Sequence, residues 1–461
     1  MINKRGHIHF IAIGGSAMHN LAISLKQTGY VVTGSDDEIF EPSMSRLSRQ
    51  GLMPEKLGWY PDKITKATQA VILGMHARND NPELLKALRL NLPIYSFPDF
   101  VYEASKNAKR VVIAGSHGKT TITSLIMHIL RYNGKEFDYL VGAGIEGFDN
   151  MVKLSNAPVI VLEGDEYLSS VLDKTPKFIR YNHNIGLISG IAWDHINAFP
   201  TRELYIQQFG KFINNTPDNG FIVYFKDDEV LEALINKRKR KFKLIPYSTP
   251  FYTIRNNRYY LKISGMDIPL NLFGKHNMQN ANGAIEILRL LGLEDKEILP
   301  ALETFEGASN RLEKIYDGNN IIIYKDFAHS PSKLKSTTAA VSELYPDHKI
   351  IACFELHTYS SLNKNFLQEY TNAFQNGNVK IIFVNDHTLK IKKMPPLSDG
   401  LIKKAFHDKK IHIVRTLSTL ENMINQNIQP YTVFLLMSSG NFGGLDYSEL
   451  INSITRNQPN K

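Results

Sequence analysis

The chain has 461 residues, 43% of them hydrophobic and 21% charged, with a formal net charge of +9. At about 150 residues per domain, that length points to three domains. No apolar run approaches the roughly 20 residues needed to cross a bilayer, so membrane insertion is not expected, and the composition is that of a globular protein.

The opening "MINKRGHIHFIAIGG" is basic and then apolar, but the apolar part is short and ends in Gly-Gly without a small-residue cleavage pattern. It reads as a buried strand, not a signal peptide. Through "AMHNLAISLKQTG", "VVTGSD", "MSRLSRQGL", "AVILGMH", "PELLKALRLN" and "PIYSF", helical patterns alternate with strands, as in a parallel sheet covered by helices.

A second block begins at "KRVVIAGSHGKTTITSLIMHILRYNG". In it a strand leads through a Gly-containing turn into a helix, an arrangement that offers backbone N–H groups and a positive dipole end to phosphate. The common nucleotide-binding fingerprint has four residues between its glycines, whereas only Ser116 and His117 separate Gly115 from Gly118. Gly115 and Gly118 would let the backbone close on phosphates, Lys119 would reach the β/γ oxygens, and Thr120 would present its hydroxyl to magnesium. The strand "VIVLEGDEY" then ends in Glu163, Asp165 and Glu166, at the edge of an α/β sheet where ligands bind. An ordinary loop accounts for any one of these carboxylates; after a phosphate loop they suit metal binding, with Glu166 the first candidate. After the strand "IGLISGI" come Asp194 and His195. A lone histidine is usually structural, but beside an ATP–magnesium site His195 suits a second magnesium.

The basic run "KRKRKFK" at 237–243 reads as a solvated loop, because no aromatic-interleaved platform accompanies it. No nucleic-acid partner is expected. An antiparallel patch follows around "FYTIRNNRYYLKISG", then the helical pattern "NMQNANGAIEILRLLG". After the turn-rich "FEGASNRLEKIYDGNN", strand–helix alternation resumes from "IIIYKDFAH" to "TVFLLMSSG", and the tail "NSITRNQPNK" reads as frayed. The single cysteine, Cys353, lies in the strand pattern "KIIACFEL" and reads as a buried structural thiol. With no partner for an internal disulfide, it fits a reducing, cytoplasmic compartment.

The fold expected is α/β in three domains: a Rossmann-like domain over 1–105, a central phosphate-loop ATPase domain over 106–306, and a Rossmann-like C-terminal domain over 307–461. The motifs "GSHGKTT" (115–121), "EGDE" (163–166), "DH" (194–195), "GKHNMQNANGA" (274–284), "NRLE" (310–313) and "DFAHSP" (326–331) resemble, in order and spacing, those of the Mur ligases. These are ATP-dependent amide-forming enzymes of peptidoglycan assembly, and the resemblance runs over essentially the whole chain. It implies that the N-terminal domain takes UDP-N-acetylmuramate, the centre takes ATP and Mg2+, and the C-terminal domain brings a peptide or amino-acid amine and closes over the site. It further implies that Gly115, Ser116, His117, Gly118, Lys119, Thr120 and Thr121 hold ATP phosphates, with His276, Asn277, Asn280, Arg311 and Asp326 at the nucleotide. Thr120, Glu166 and His195 would hold metal, with Lys119, Glu166 and His195 central to catalysis. Gly14, Gly15 and Ser16 would take the pyrophosphate of the sugar nucleotide, Ser35 and Asp36 its uridine side, while His329 and His357 face the amine.

Two branches match best, one joining L-alanine and the other, the murein peptide ligase branch, joining a recovered tripeptide. The stretches "MSRLSRQGL", "GMHARNDNP", "EGDEYLSSVLDKTPKF" and "MSSGNFGGL" lean to the tripeptide branch and a role in recycling. The carbamylated lysine of other members falls near Phe209, which also suits this pair of branches. Some family positions differ here. Ala12 and Ala17 replace glycines, which argues against a dinucleotide-binding dehydrogenase. Gly190, Asn310 and Ser330 replace Asn, Arg and His, so a catalytically weak sugar-nucleotide sensor is the reading from another class. The match is loose around "FELHTYSSLN", where the amine is chosen. The expected assembly is a monomer or weak homo-oligomer.

Overall fold

A computed structural model describes residues 6–75 and 77–456. The start "MINKR", His76 of the "GMHARNDNP" stretch and residues 457–461 of the expected frayed tail lie outside the described residues. Within the tail, residues up to Arg456 continue the helix Tyr447–Arg456 instead of fraying. By contacts the chain forms two compact units.

The first unit comprises residues 1–191, 203–248 and 283–301. Its N-terminal sheet has four parallel strands in the order Val31–Ser35, His7–Ile11, Thr68–Leu73, Ile94–Ser96. Both faces are covered by helices, which is why these strands read as apolar runs and not as alternating patterns. Ile11, Val71, Leu73, Leu84 and Ala87 are buried in one cluster beneath it. The helix Pro82–Arg89 starts where Asn81 accepts hydrogen bonds from the Glu83 and Leu84 amides, with Pro82 at a position that needs no amide donor.

The second sheet of this unit orders Lys243–Tyr247, Phe221–Phe225, Ile185–Ile188, Lys109–Ala114, Val159–Glu163, Asp138–Leu140 and Val152–Lys153. All neighbours are parallel except the last pair. Lys109–Ala114 lies at the centre, fully buried from Val111 onward, so its C-terminal end delivers the "GSHGKTT" turn to the sheet edge. The helix Lys119–Tyr132 that follows is buried on most of its surface, with Ile122, Leu125, Ile126 and Ile129 at 0% exposure.

An aromatic core of Phe178, Phe209 and Phe212 supports this sheet, and the His183 ring stacks on Phe212 at 4.0 Å. Burial pushes the His183 pKa down to about 3. In the unfolded chain the ring takes a proton near 6.5, so between these values the unfolded state binds more protons and stability falls as pH falls. His183→Gln, which keeps a partner for Thr216 2.9 Å away, is expected to flatten the loss of thermal midpoint between pH 7 and 5. Parallel melting curves for the two proteins would disprove this.

The second unit comprises residues 192–202, 249–282 and 302–461. It holds a three-stranded antiparallel sheet, Tyr252–Arg255, Arg258–Ile263 and Met266–Leu270, where the antiparallel patch is expected. Its larger sheet orders Glu313–Gly318, Ile321–Asp326, Thr432–Met437, Lys349–Glu355, Val379–Phe383 and His412–Val414. The turn-rich stretch "FEGASNRLEKIYDGNN" also contains a strand, Glu313–Gly318, that its sequence did not announce. It pairs antiparallel with Ile321–Asp326 as a sheet-edge hairpin, and its mostly exposed side chains carry little apolar signal. Cys353 lies at 0% exposure in the middle of this sheet and burial pushes its thiol pKa up to about 12, as a structural thiol requires.

The run 237–243 leaves the helix Glu229–Asn236 and enters the strand Lys243–Tyr247, with Arg240 paired to Asp218 at the surface. No helix among the described residues is long and apolar enough to cross a membrane.

Candidate active site

The phosphate-type turn is built as the residue types require. Gly115 has φ +120°, and a Cβ there would lie 2.8 Å from the Ser189 amide nitrogen, so only glycine fits. Gly118, with φ +76°, caps the helix Lys119–Tyr132. The Ser116 amide donates to the Gly190 carbonyl at 3.0 Å, and the Ser189 hydroxyl donates to the His117 carbonyl. Gly190 itself has φ +137°. The residue that departs from the family pattern is thus a backbone support of the loop, in a conformation that favours glycine. The Ile191 amide beside it donates to Asp228 at 2.7 Å.

Lys119 is half-buried and donates to both oxygens of Glu166 at 2.8 Å and to the Gly115 carbonyl at 2.7 Å. Burial works against its charge, but Glu166 outweighs it and the ammonium pKa is raised. Thr120 donates to Glu163 Oε1 at 2.7 Å, and the Gly142 amide donates to Glu163 Oε2 at 2.7 Å. Lys119, Thr120, Glu163 and Glu166 therefore meet, although 43 residues separate Thr120 from Glu163. Asp165 pairs instead with Lys177 at 2.6 Å. Sequence reasoning named Glu163 only as one of three carboxylates; the Thr120 contact singles it out. Tyr205 has no sequence signal, yet its hydroxyl lies 2.9 Å from Ser116 Oγ and 3.2 Å from Glu166 Oε1. The hydroxyl of Thr120 and the two glutamates are hard oxygen donors, a set that suits magnesium. Thr121 is buried one residue further along the same helix.

In the N-terminal sheet, Gly14 and Gly15 form the turn after His7–Ile11, and Ser16 starts the helix Ser16–Gln27. The Gly14 amide donates to Asp36 Oδ2 at 2.7 Å. Burial pushes the Asp36 pKa up to about 6 despite that bond. Ser35 is buried beside it. Ala12 holds φ +65° at a family glycine position, a left-handed conformation costly for alanine. A cavity of about 350 Å³ is lined by Gly15, Ser16, Asn20, Glu163, Asp165 and Lys177 among others. It connects the first turn to the carboxylates after Val159–Glu163.

The second unit holds the remaining residues. His195 sits at φ +55°, and its amide donates to Asp194 Oδ1 at 2.7 Å. Asp194 is buried and also accepts from Ser360 at 3.3 Å. Burial opposes its charge, but His195, His329 and Lys333 outweigh it and hold the carboxyl below its usual range. His329 Nδ1–H donates to the Phe327 carbonyl at 2.7 Å, which leaves Nε2 to accept from Lys333 at 3.2 Å. Burial, helped by Lys333, pushes the His329 pKa down to about 3.

Asp326 accepts from the Leu312 and Ala328 amides at 2.8 and 2.9 Å and from Thr337 at 3.1 Å. It therefore ties the 310–312 turn to the 326–329 loop. Asn310 takes φ +58°, which asparagine tolerates, and Arg311 stacks over Phe327 at 4.8 Å. Ser330 stands at the N-terminal cap position of the helix Pro331–Leu344, with no side-chain bond to the helix. His276 is half-buried, and burial lowers its pKa against the pull of Asp326. Asn277 donates to the Phe273 carbonyl at 2.9 Å and Asn280 donates to Asn277 at 3.2 Å, bonds local to the start of their helix. Glu355 accepts from the Ser438 hydroxyl and from the Phe442 amide at 2.9 Å, with His357 Nδ1 at 3.5 Å.

Family models match three consecutive stretches: Mur ligase family, catalytic domain, over 7–109; Mur ligase middle domain over 113–288; and Mur ligase, glutamate ligase domain, over 310–440. The UDP-N-acetylmuramate–L-alanine ligase of Persephonella marina is 31% identical over 476 residues, covering 99% of this chain and 98% of that protein. The solved UDP-N-acetylmuramate–alanine ligase of Thermotoga maritima superposes with a TM-score of 0.71 at 23% identity, over 98% of this chain and 97% of that one. The murein peptide ligase of Psychrobacter arcticus does so with a TM-score of 0.69 at 21% identity, over 97% and 98%. At those identities the two structures establish the fold. Full-length relatedness by sequence, the three successive domain matches and the phosphate-loop geometry together place this chain in the Mur ligase family, as a three-domain, ATP-dependent amide-forming ligase.

Proposed function

We propose that this ligase joins the amine of the tripeptide L-Ala-γ-D-Glu-meso-diaminopimelate to the lactyl carboxylate of UDP-N-acetylmuramate, in peptidoglycan recycling. The observation that carries the carboxylate-activating part is the cavity running from Gly15 and Ser16 to Glu163 and Asp165. A sugar nucleotide seated by its pyrophosphate at the first turn has its acyl end directed toward the Lys119 and Thr120 group. In this reading residues 1–105 bind the sugar nucleotide, 106–306 bind ATP, and 307–461 bring the amine.

A carboxylate is unreactive toward amines until its oxygen becomes a good leaving group. One carboxylate oxygen attacks the γ-phosphorus and the bond to ADP breaks. The amine nitrogen then attacks the acyl carbon, phosphate leaves, and the amine loses a proton. Both steps bring anions together, so this chain's part is positioning and charge neutralisation.

Amides of the 115–121 turn and Lys119 bind phosphate oxygens, which requires Lys119 to leave Glu166. Thr120, Glu163 and Glu166 would hold magnesium, and His195 would be a ligand of a second one. Bound there, magnesium would offset the like charges of phosphate and carboxylate. Gly14, Gly15 and Ser16 bind pyrophosphate, with Ser35 and Asp36 on the uridine side. Arg311, Asn277 and Asn280 serve the nucleotide, while Asp326 acts by holding the turn that carries Arg311. A pKa near 3 makes His329 a weak base. It therefore orients Lys333 beside the amine, with His357 on the same side. A cytoplasmic location follows from these substrates.

Free L-alanine is the second reading, favoured by the names of the sequence relatives. What supports the tripeptide is the "EGDEYLSSVLDKTPKF" stretch, which resembles that branch. With UDP-N-acetylmuramate and ATP present, phosphate release is expected to rise at least tenfold more with the tripeptide than with L-alanine. Greater release with L-alanine would reverse the choice, and nucleotide binding with no release for any amine would leave a sensor.

A further inference from the structure

Tyr205 lies on the helix Arg202–Asn214 at 0% exposure, its ring edge-on to Phe209 with centroids 5.3 Å apart. Its hydroxyl sits between Ser116 Oγ, at 2.9 Å, and Glu166 Oε1, at 3.2 Å. A phenol has one proton and an ionised carboxylate can only accept. Tyr205 therefore donates to Glu166 and accepts from the Ser116 hydroxyl. That order links the phosphate turn to the carboxylate through a ring that close packing prevents from moving.

The link matters because Lys119 binds both Glu166 oxygens. Lys119 has three protons and one of them already goes to the Gly115 carbonyl, so it cannot also serve phosphate without giving up carboxylate. When it does, the flexible Glu166 side chain loses its strongest partner. We infer that Tyr205 is a positioning residue that keeps Glu166 Oε1 fixed during this exchange, leaving Oε2 directed at the magnesium that accompanies ATP. The inference rests on the assignment of Glu166 to metal.

A packing role alone is served equally by phenylalanine, which makes Tyr205→Phe the test. In the full-length protein with a non-hydrolysable ATP analogue, Mn2+ binding is followed by electron paramagnetic resonance, and the Mg2+ dependence of phosphate release is measured in parallel. Metal affinity is expected to fall about tenfold in the variant, as when a partner that orients a metal-binding group is lost. The Mg2+ needed for half-maximal release rises by a similar factor, while kcat at saturating Mg2+ stays within about twofold. Ser116→Ala, which removes the donor orienting the phenol, should shift metal affinity in the same direction by less, and it carries the test if Tyr205→Phe fails to fold. Wild-type metal affinity in a folded Tyr205→Phe protein overturns the inference. If Glu166→Gln also leaves metal binding unchanged, the metal assignment itself falls. A Glu166→Gln effect without a Tyr205→Phe effect defeats only the role of Tyr205.

Discussion

Replacing Lys119 with alanine is expected to reduce amine-dependent phosphate release by about 10³-fold, the scale seen when one preorganised donor to developing charge is removed. The same change should also destabilise the protein, for a separate reason. The Glu166 side chain is 2% exposed and the ammonium beside it neutralises its charge. Breaking a buried pair by deleting one partner typically costs about 3–5 kcal/mol, because the surviving charge stays buried. Lys119→Ala combined with Glu166→Gln should regain most of the stability and none of the activity. Denaturant midpoints for both variants, alongside phosphate release, separate the two effects. Turnover near wild type in Lys119→Ala would refute the phosphate-loop assignment.

Asp194→Ala is expected to have the second largest effect. Its carboxylate accepts the amide of His195, whose φ of +55° is unfavourable for a residue with a side chain, and the hydroxyl of Ser360. It is also the negative charge facing His195, His329 and Lys333. Without it, the left-handed turn loses its acceptor and Lys333 loses a counter-charge in a buried setting. We expect about 2–4 kcal/mol of lost stability and about a 10²-fold loss of turnover. Asp194→Asn keeps an acceptor for the His195 amide, so it should restore much of the stability while leaving turnover low. Equal stability losses in the two variants would show that charge, not backbone support, dominates at this position.

The elements that carry local information were legible in the chain itself. "KRVVIAGSHGKTT" spells a buried strand, a turn with glycines where φ is positive, and a helix start, all within one contiguous stretch. The parallel character of the sheets followed from alternating strand and helix patterns, and an antiparallel patch was legible around "FYTIRNNRYYLKISG", whereas the order of the strands was not. The exposed edge strand Glu313–Gly318 was missed because a strand with few buried side chains has no apolar period to read.

Motif order and spacing were enough to connect the chain with carboxylate-activating ligases, since each motif is a short local unit. Which carboxylate meets which donor was a different matter, because such pairings are set by packing across the sheet. Glu163, not its neighbour Asp165, takes the Thr120 hydroxyl. Tyr205 reaches Ser116 across 89 residues of sequence. Gly190, which reads in the chain as a lost contact residue, is a left-handed support for the Ser116 amide. Residue types and their spacing determined the chemistry available; the tertiary fold alone decided which side chains are buried together, and burial is what makes a single hydrogen bond or ion pair consequential.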